Sequence, residues 1–188
     1  MIKKPGNVMA EIGVLSDTHM AEFDDDLLYL NEVIFKNTRL IVHCGDLISP
    51  EVADAFYDKQ VFAVSGNMDG NAVKSKYPSV EAFEFSGIRF CMLHGAGYAF
   101  NMFDEFIKQF PDTDVFLYGH THIPLIKKYK EYLFFNPGSF KSNRIDHPSR
   151  SAGLIEVDNL KACFKILDLE QIKNKKINIK EVLNVSYS

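Results

Sequence analysis

Short apolar runs recur along this chain, and the first ones alternate with segments of helical spacing. Ile12–Ser16 (IGVLS) is an apolar run ending in polar residues, the pattern of a buried strand. In Asp24–Asn37, Leu27, Leu30 and Ile34 recur at helical spacing, and the acidic run Asp24–Asp26 suits the positive end of a helix dipole. Leu40–His43 reads as a second buried strand. Ser49 then stands as N-cap and Pro50 as first residue of a helix to about Asp58, followed by a third strand at Val61–Val64. A β-α-β-α-β succession of this kind builds a parallel sheet with helices on its faces.

The pattern then changes. Val80–Phe85 and Ile88–Leu93 flank Ser86-Gly87, a two-residue turn suited to a hairpin. Asn101–Phe110 is a further helix, stopped by Pro111. Val115–Tyr118, Leu125–Lys130, Tyr132–Phe135, Leu154–Val157 and Cys163–Leu167 are short strands with little helix between them. Lys173–Lys180 (KNKKINIK) reads as an exposed edge strand or tail, where lysines deter aggregation. The expected fold is α/β, a four-layer α-β-β-α sandwich of two mixed sheets flanked by helices. One domain spanning 1–188 is expected, with 1–10 an irregular extension and 170–188 a C-terminal tail.

Composition narrows what such a fold could serve. Of 188 residues 46% are hydrophobic and 24% charged, which excludes a disordered chain. A formal net charge of −4 gives no general attraction to nucleic acid or anionic membrane, so any phosphate must be bound locally. No run approaches the roughly 18 apolar residues of a membrane span, and Met1–Glu11 lacks the apolar core of a secretory signal. Cys44, Cys91 and Cys163 are odd in number and lack CxxC spacing. They read as small core residues in a reducing compartment, so a cytoplasmic location is expected.

The polar residues fall repeatedly just after a strand. Ser16-Asp17-Thr18-His19 follows the first, Gly45-Asp46 the second and Gly66-Asn67-Met68-Asp69 the third. His94-Gly95 and Gly119-His120-Thr121-His122 follow two later ones. Ligands of α/β sheets bind outside the carboxyl ends of strands, so these clusters are expected to meet at one edge. Taken singly, most of them are ordinary turns or caps. Together they form a mixed shell of four histidines, two or three aspartates and an asparagine, which suits Mn²⁺, Fe, Zn²⁺ or Co²⁺ rather than Ca²⁺. Seven ligands are too many for one tetrahedral ion and fit two ions sharing a carboxylate.

These motifs resemble those of the calcineurin-like metallophosphoesterases. Ser16-Asp17-Thr18-His19, Gly66-Asn67-Met68-Asp69 and Asn136-Pro137-Gly138-Ser139 are similar to the small prokaryotic phosphodiesterases of the YfcE type. The resemblance covers about Ile12 to Ser139. It implies that Asp17, His19 and His122 hold one metal, that Asn67, His94 and His120 hold a second, and that Asp46 bridges them. It also implies two divalent ions, Mn²⁺ first and Zn²⁺, Fe, Ni²⁺ or Co²⁺ after it, and a bridging hydroxide as nucleophile on a phosphodiester or aryl phosphomonoester.

One position departs from that family. Many members carry a histidine after the Asn of this motif, where this chain has Met68, which cannot transfer a proton. Esters with good leaving groups are therefore expected to react best, with Asp69 or water as substitute donor beside Asn67 and His94. Asn136–Ser139 reads equally as a plain turn or as a loop supporting the His-x-His segment. Arg144 could reach a substrate phosphate with its planar fork. His43 is expected to be a core or supporting histidine and His147 an uninvolved one. The expected partner is a small phosphate ester, with no long nucleic-acid track and no membrane; a homo-oligomer is compatible with this reading. The alternative is a non-catalytic scaffold like the retromer subunit that shares the fold.

Overall fold

In the strands, alternate residues face opposite sides, and that alternation decides what each sheet buries. The computed structural model describes residues 10–98, 101–141 and 149–187; Arg144 and His147 lie outside the described residues. One sheet has six strands in the order β11-β10-β9-β1-β2-β3. Its members are β1 (Ala10–Leu15), β2 (Leu40–His43), β3 (Gln60–Ala63), β9 (Ser151–Asp158), β10 (Lys161–Asp168) and β11 (Asn178–Ser186). The other has five, β4-β5-β6-β8-β7: β4 (Val80–Phe85), β5 (Ile88–Leu93), β6 (Val115–Tyr118), β7 (Leu125–Tyr129) and β8 (Tyr132–Asn136).

Ile12, Val14, Leu40 and Val42 of the first sheet pack against Phe90, Met92, Val115 and Leu117 of the second, forming the central core. Residues one position on face outward. Leu15 and Ile41 meet Leu27, Leu30, Phe35, Val52 and Val73 beneath the helices of one side. Cys91, Phe116 and Phe134 meet Phe106 of α3 (Met102–Gln109) on the other. The layers are thus helix, sheet, sheet, helix, as expected. Both sheets are mixed: β1, β2 and β3 run parallel, as do β5, β6 and β8, with antiparallel partners outside. No helix among the described residues is long and apolar enough to cross a membrane.

The helices differ in detail from expectation. Asp24 caps α1 (Asp25–Tyr29), accepting from the Leu27 N–H, but Leu30–Ile34 widens into a π-helix in which Phe35 N–H bonds Leu30 O at 2.8 Å. The extra residue in that turn puts Phe35, rather than Ile34, in the fully buried position. Pro50–Phe56 winds as a 3₁₀ helix, with Ser49 capping it. A short helix, α2 (Asn71–Lys76), was not expected; its one buried residue is Val73. The basic tail is an edge strand over Asn178–Ser186, preceded by a turn of 3₁₀ helix at Ile172–Asn174.

Candidate metal centre

The parallel strands of both sheets end at one edge, and backbone hydrogen bonds continue the ladders into the loops beyond. Asp17 N–H donates to Gly45 O and His19 N–H to Asp46 O, both at 3.0 Å, joining the loops after β1 and β2. Gly119 N–H donates to His94 O at 3.1 Å, joining those after β5 and β6. Asp17, His19, Asp46, His120 and His122 all have positive φ, from 47° to 65°. Non-glycine residues rarely adopt that conformation, and it persists only where the surroundings over-determine it. Five such residues, with Ile48 (φ 77°) as a sixth, in three loops mark a site whose side-chain directions matter. Close approach also dictates Gly119: a Cβ there would strike Ser16 Oγ and lie 2.8 Å from Asp17 Oδ2.

The structure brings all seven expected ligand residues together. His122 Nε2 lies 3.1 Å from Asp17 Oδ1, and His19 Nε2 lies 3.4 Å from His122 Nε2. Beside them, His94 Nε2 is 3.2 Å from Asp46 Oδ2 and 3.0 Å from Asn67 Oδ1. Asp46 Oδ2 is also 3.9 Å from His19 Nε2, so it lies between the two groups. The His120 ring meets that of His94 edge-on, centroids 5.1 Å apart, and its backbone N–H donates to Asp17 Oδ2 at 3.0 Å. Ligand atoms of Asp17, His19 and His122 fall within 4.8 Å of one another, as do those of Asp17, Asp46 and His94.

These contacts fit a cation and fit little else. Asp17 is fully buried; its Oδ2 accepts from Ser16 Oγ at 2.5 Å and from His120 N–H, but its Oδ1 has no hydrogen-bond partner. An unpaired buried carboxylate oxygen is costly, and a positive ion removes that cost. His94 Nδ1–H donates to Cys44 O at 2.8 Å, which leaves the Nε2 lone pair facing two oxygen acceptors. A backbone carbonyl orients metal-binding histidines in the same manner. Burial alone would lower the His94 pKa, but the hydrogen bond to Asp46 and the charges of Asp17 and Asp46 outweigh it and raise it. Burial likewise pushes Asp46 up, and the bond to His94 with its charge brings the net shift below the ordinary carboxylate range. His120 is lowered, by burial first and by His94 second.

Around this centre sit residues that hold it. The Asp69 carboxylate is buried and accepts three backbone N–H groups, from Asp46 at 3.0 Å and from Gly66 and Ile48 at 2.7 Å. It ties the loop after β3 to the loop after β2, and Asp46 Oδ1 reciprocates by accepting from Met68 N–H at 2.8 Å. Met68 itself is 60% exposed. His43 Nδ1 accepts from Gly45 N–H, so its proton sits on Nε2 and is donated to Thr18 Oγ1 at 3.1 Å. Burial lowers its pKa to about 4, in keeping with a neutral supporting role. Asn136 Nδ2 donates to Gly119 O and Thr121 Oγ1, and Ser139 Oγ donates to Asp17 O. The loop after β8 therefore props both the His-x-His segment and Asp17. Of the two readings of Asn136–Ser139, the supporting loop is the one seen, with the Asn136 side chain holding the His-x-His segment and Ser139 holding Asp17.

Residues 10–160 match the calcineurin-like phosphoesterase superfamily domain. The chain belongs to that superfamily. It is 35% identical over 134 residues to a probable metallophosphoesterase of Methanocaldococcus jannaschii, covering 68% of this chain and 67% of that protein. A phosphodiesterase of the same organism is 28% identical over 145 residues, 68% of this chain and 82% of that one. Among solved structures, Vacuolar Protein Sorting 29 from Cryptosporidium parvum superposes with a TM-score of 0.78 at 18% identity, covering 95% of this chain and 99% of that one. At that identity the likeness speaks for the fold alone. As a calcineurin-like phosphoesterase, the chain places candidate ligands for divalent metal at the edge where both sheets end.

Proposed function

We propose that this chain is a cytoplasmic, two-metal phosphodiesterase that also accepts aryl phosphomonoesters. The observation that carries this reading is the convergence of Asp17, His19, Asp46, His94 and His122 ligand atoms at one edge, with the buried Asp17 Oδ1 left without a hydrogen-bond partner. Asp17, His19 and His122 hold one ion, Asn67, His94 and His120 the other, and Asp46 lies between them. When bound, divalent ions would supply a coordinated water of lowered pKa and charge neutralisation for the transferring phosphoryl group. The chain's own part is orientation. Cys44 O and Asn136 fix the directions of His94 and the His-x-His segment, and Asp69 fixes the loop that carries Asn67. Similarity to the Methanocaldococcus jannaschii phosphodiesterase supports the diester. Mn²⁺ is the first ion to test, before Zn²⁺, Fe, Ni²⁺ and Co²⁺.

The leaving group takes its proton from solvent. Met68 cannot donate, and both oxygens of Asp69 are engaged by backbone N–H groups. Aryl esters should therefore outpace alkyl esters by about 10² or more. The test uses metal-stripped protein with bis-p-nitrophenyl phosphate, p-nitrophenyl phosphate and a dialkyl phosphate, with Mn²⁺ restored, beside Asp46→Ala. Activity on the aryl esters should return with the ion and disappear in the variant. The competing reading is a protein-binding scaffold, favoured by Met68, Ile123 and Ile48, which are 60%, 44% and 38% exposed within two residues of the ligands in sequence. Inactivity of the folded protein with every ion would count against the hydrolase and favour that one.

A further inference from the structure

Two clefts flank the candidate metal centre and share Tyr98 as a wall. One, of about 400 Å³, carries Asn67 and His94 and so belongs to the centre itself. The other, of about 450 Å³, carries Thr121, the residue between His120 and His122, and runs out between α3 and β7. Its lining is unlike that of the centre: Tyr98, Phe103 and Tyr129 supply aromatic surface, and Lys127 supplies a positive charge.

The charges in this second cleft are not equivalent. Asp104 is already neutralised, with Lys130 Nζ at 2.7 Å and the Tyr129 hydroxyl at 3.2 Å. Lys127 makes no ion pair among the described residues. Its ammonium lies over the Phe103 ring at 5.2 Å and near the Tyr129 ring at 5.9 Å, held only by π-faces. Phe103 is itself fixed from behind by stacking on Phe134, centroids 4.1 Å apart. The cleft thus offers a rigid aromatic wall and one cation without a carboxylate, beside the residues that would bind the scissile phosphate. An aromatic ring bearing an anionic substituent complements both features, since bases stack on aromatic side chains whatever their sequence and lysine meets phosphate as a point charge.

We propose that the cleft of Tyr98, Phe103, Lys127 and Tyr129 receives a nucleotide arm of the phosphodiester substrate, the base replacing the Lys127 ammonium on the outer face of Phe103 and a further phosphate taking up that ammonium. This rests on the phosphodiesterase reading above for the scissile bond, but the cleft can be tested without hydrolysis. Thymidine 3′,5′-bisphosphate is titrated calorimetrically into metal-free protein, wild type and the exposed-site variant Lys127→Ala, and into Phe103→Leu, which keeps an apolar side chain against Phe134. Binding should weaken about threefold in the first variant and about tenfold in the second. Hydrolysis is then followed for three esters with one leaving group: methyl p-nitrophenyl phosphate, thymidine 5′-(p-nitrophenyl phosphate), and the latter with a 3′-phosphate. KM should fall along that series in the wild type, and Lys127→Ala should erase only the last step. Equal KM values for all three esters, or bisphosphate binding indifferent to both variants, would overturn the nucleotide arm while leaving the phosphodiesterase standing. Binding that obeys the variants with no hydrolysis of any ester would keep the nucleotide cleft and remove the hydrolase.

Discussion

Burial sets the behaviour of His43, whose pKa falls from 6.5 to about 4 in the folded protein. In the unfolded chain it titrates near its ordinary value, so between those two pH values the unfolded state binds more protons. Stability contributed by the neutral ring is then fully present above about pH 6.5 and is lost as pH falls toward 4, by up to about 3 kcal/mol. In His43→Gln the amide can still donate to Thr18 and accept from Gly45 but cannot titrate. Thermal melts of the metal-free proteins at pH 7.5 and pH 5 should show a smaller difference for the variant; an unchanged difference would remove His43 from the account. At this scale the sequence was readable where a residue type announces its chemistry. Asp17, His19, Asp46, Asn67, His94, His120 and His122 stood out because nitrogen and oxygen ligands ended successive strands. Nothing in the sequence hints that Asp69 collects three backbone N–H groups, because that depends on how two loops run past each other.

Elements fix those directions, and Gly119 is the tightest point between them. It joins β6 to His120, and an added Cβ meets Ser16 Oγ of the loop after β1. Gly119→Ala should displace Asp17 and the His-x-His segment together, weakening Mn²⁺ binding about 10-fold to 100-fold, as loss of a supporting contact does. Gly70→Ala is the control, since a Cβ at that glycine meets nothing within 4 Å. Titration with Mn²⁺ checks both, and equal affinities would show that the close approach is not needed. Strands were legible wherever alternation was strong: β2, β4, β5 and β6 lie where the pattern put them. β9 was read three residues short at its start, because Ser151, Ala152 and Gly153 have no strand signal of their own; yet all three are buried, and Gly153 gives the Phe135 ring its space. α2 has a single buried apolar residue and so no periodicity to read. The widened turn after Tyr29 depends on packing Phe35 beneath β1 and β2, which local spacing does not encode.

Across the molecule, the centre is where the two sheets meet in chemistry as well as in packing. Asp17, His19, Asp46 and Asn67 come from loops of the six-stranded sheet, and His94, His120 and His122 from loops of the five-stranded one. Ions held by all of them would crosslink the sandwich at one edge. At 100 times its Kd, such an ion adds about 3 kcal/mol to stability, or about 5–10 °C in Tm for a chain of this size. Removing a ligand from either sheet, as in Asp46→Ala or His122→Ala, should abolish most of that shift. Asp17→Asn should do so too, with the opposite sign in the absence of metal. The asparagine oxygen can replace Oδ2 as acceptor from Ser16 and His120. Those contacts are made to Oδ2 in the present structure. The substitution removes a buried negative charge that sits beside Asp46 and whose Oδ1 has no hydrogen-bond partner, raising metal-free stability by about 1 kcal/mol. Wild type and Asp17→Asn should therefore exchange rank in Tm when Mn²⁺ is added to chelator-treated protein. If the wild type is the more stable under both conditions, Asp17 Oδ1 is not waiting for a cation, and the electrostatic case for the centre fails.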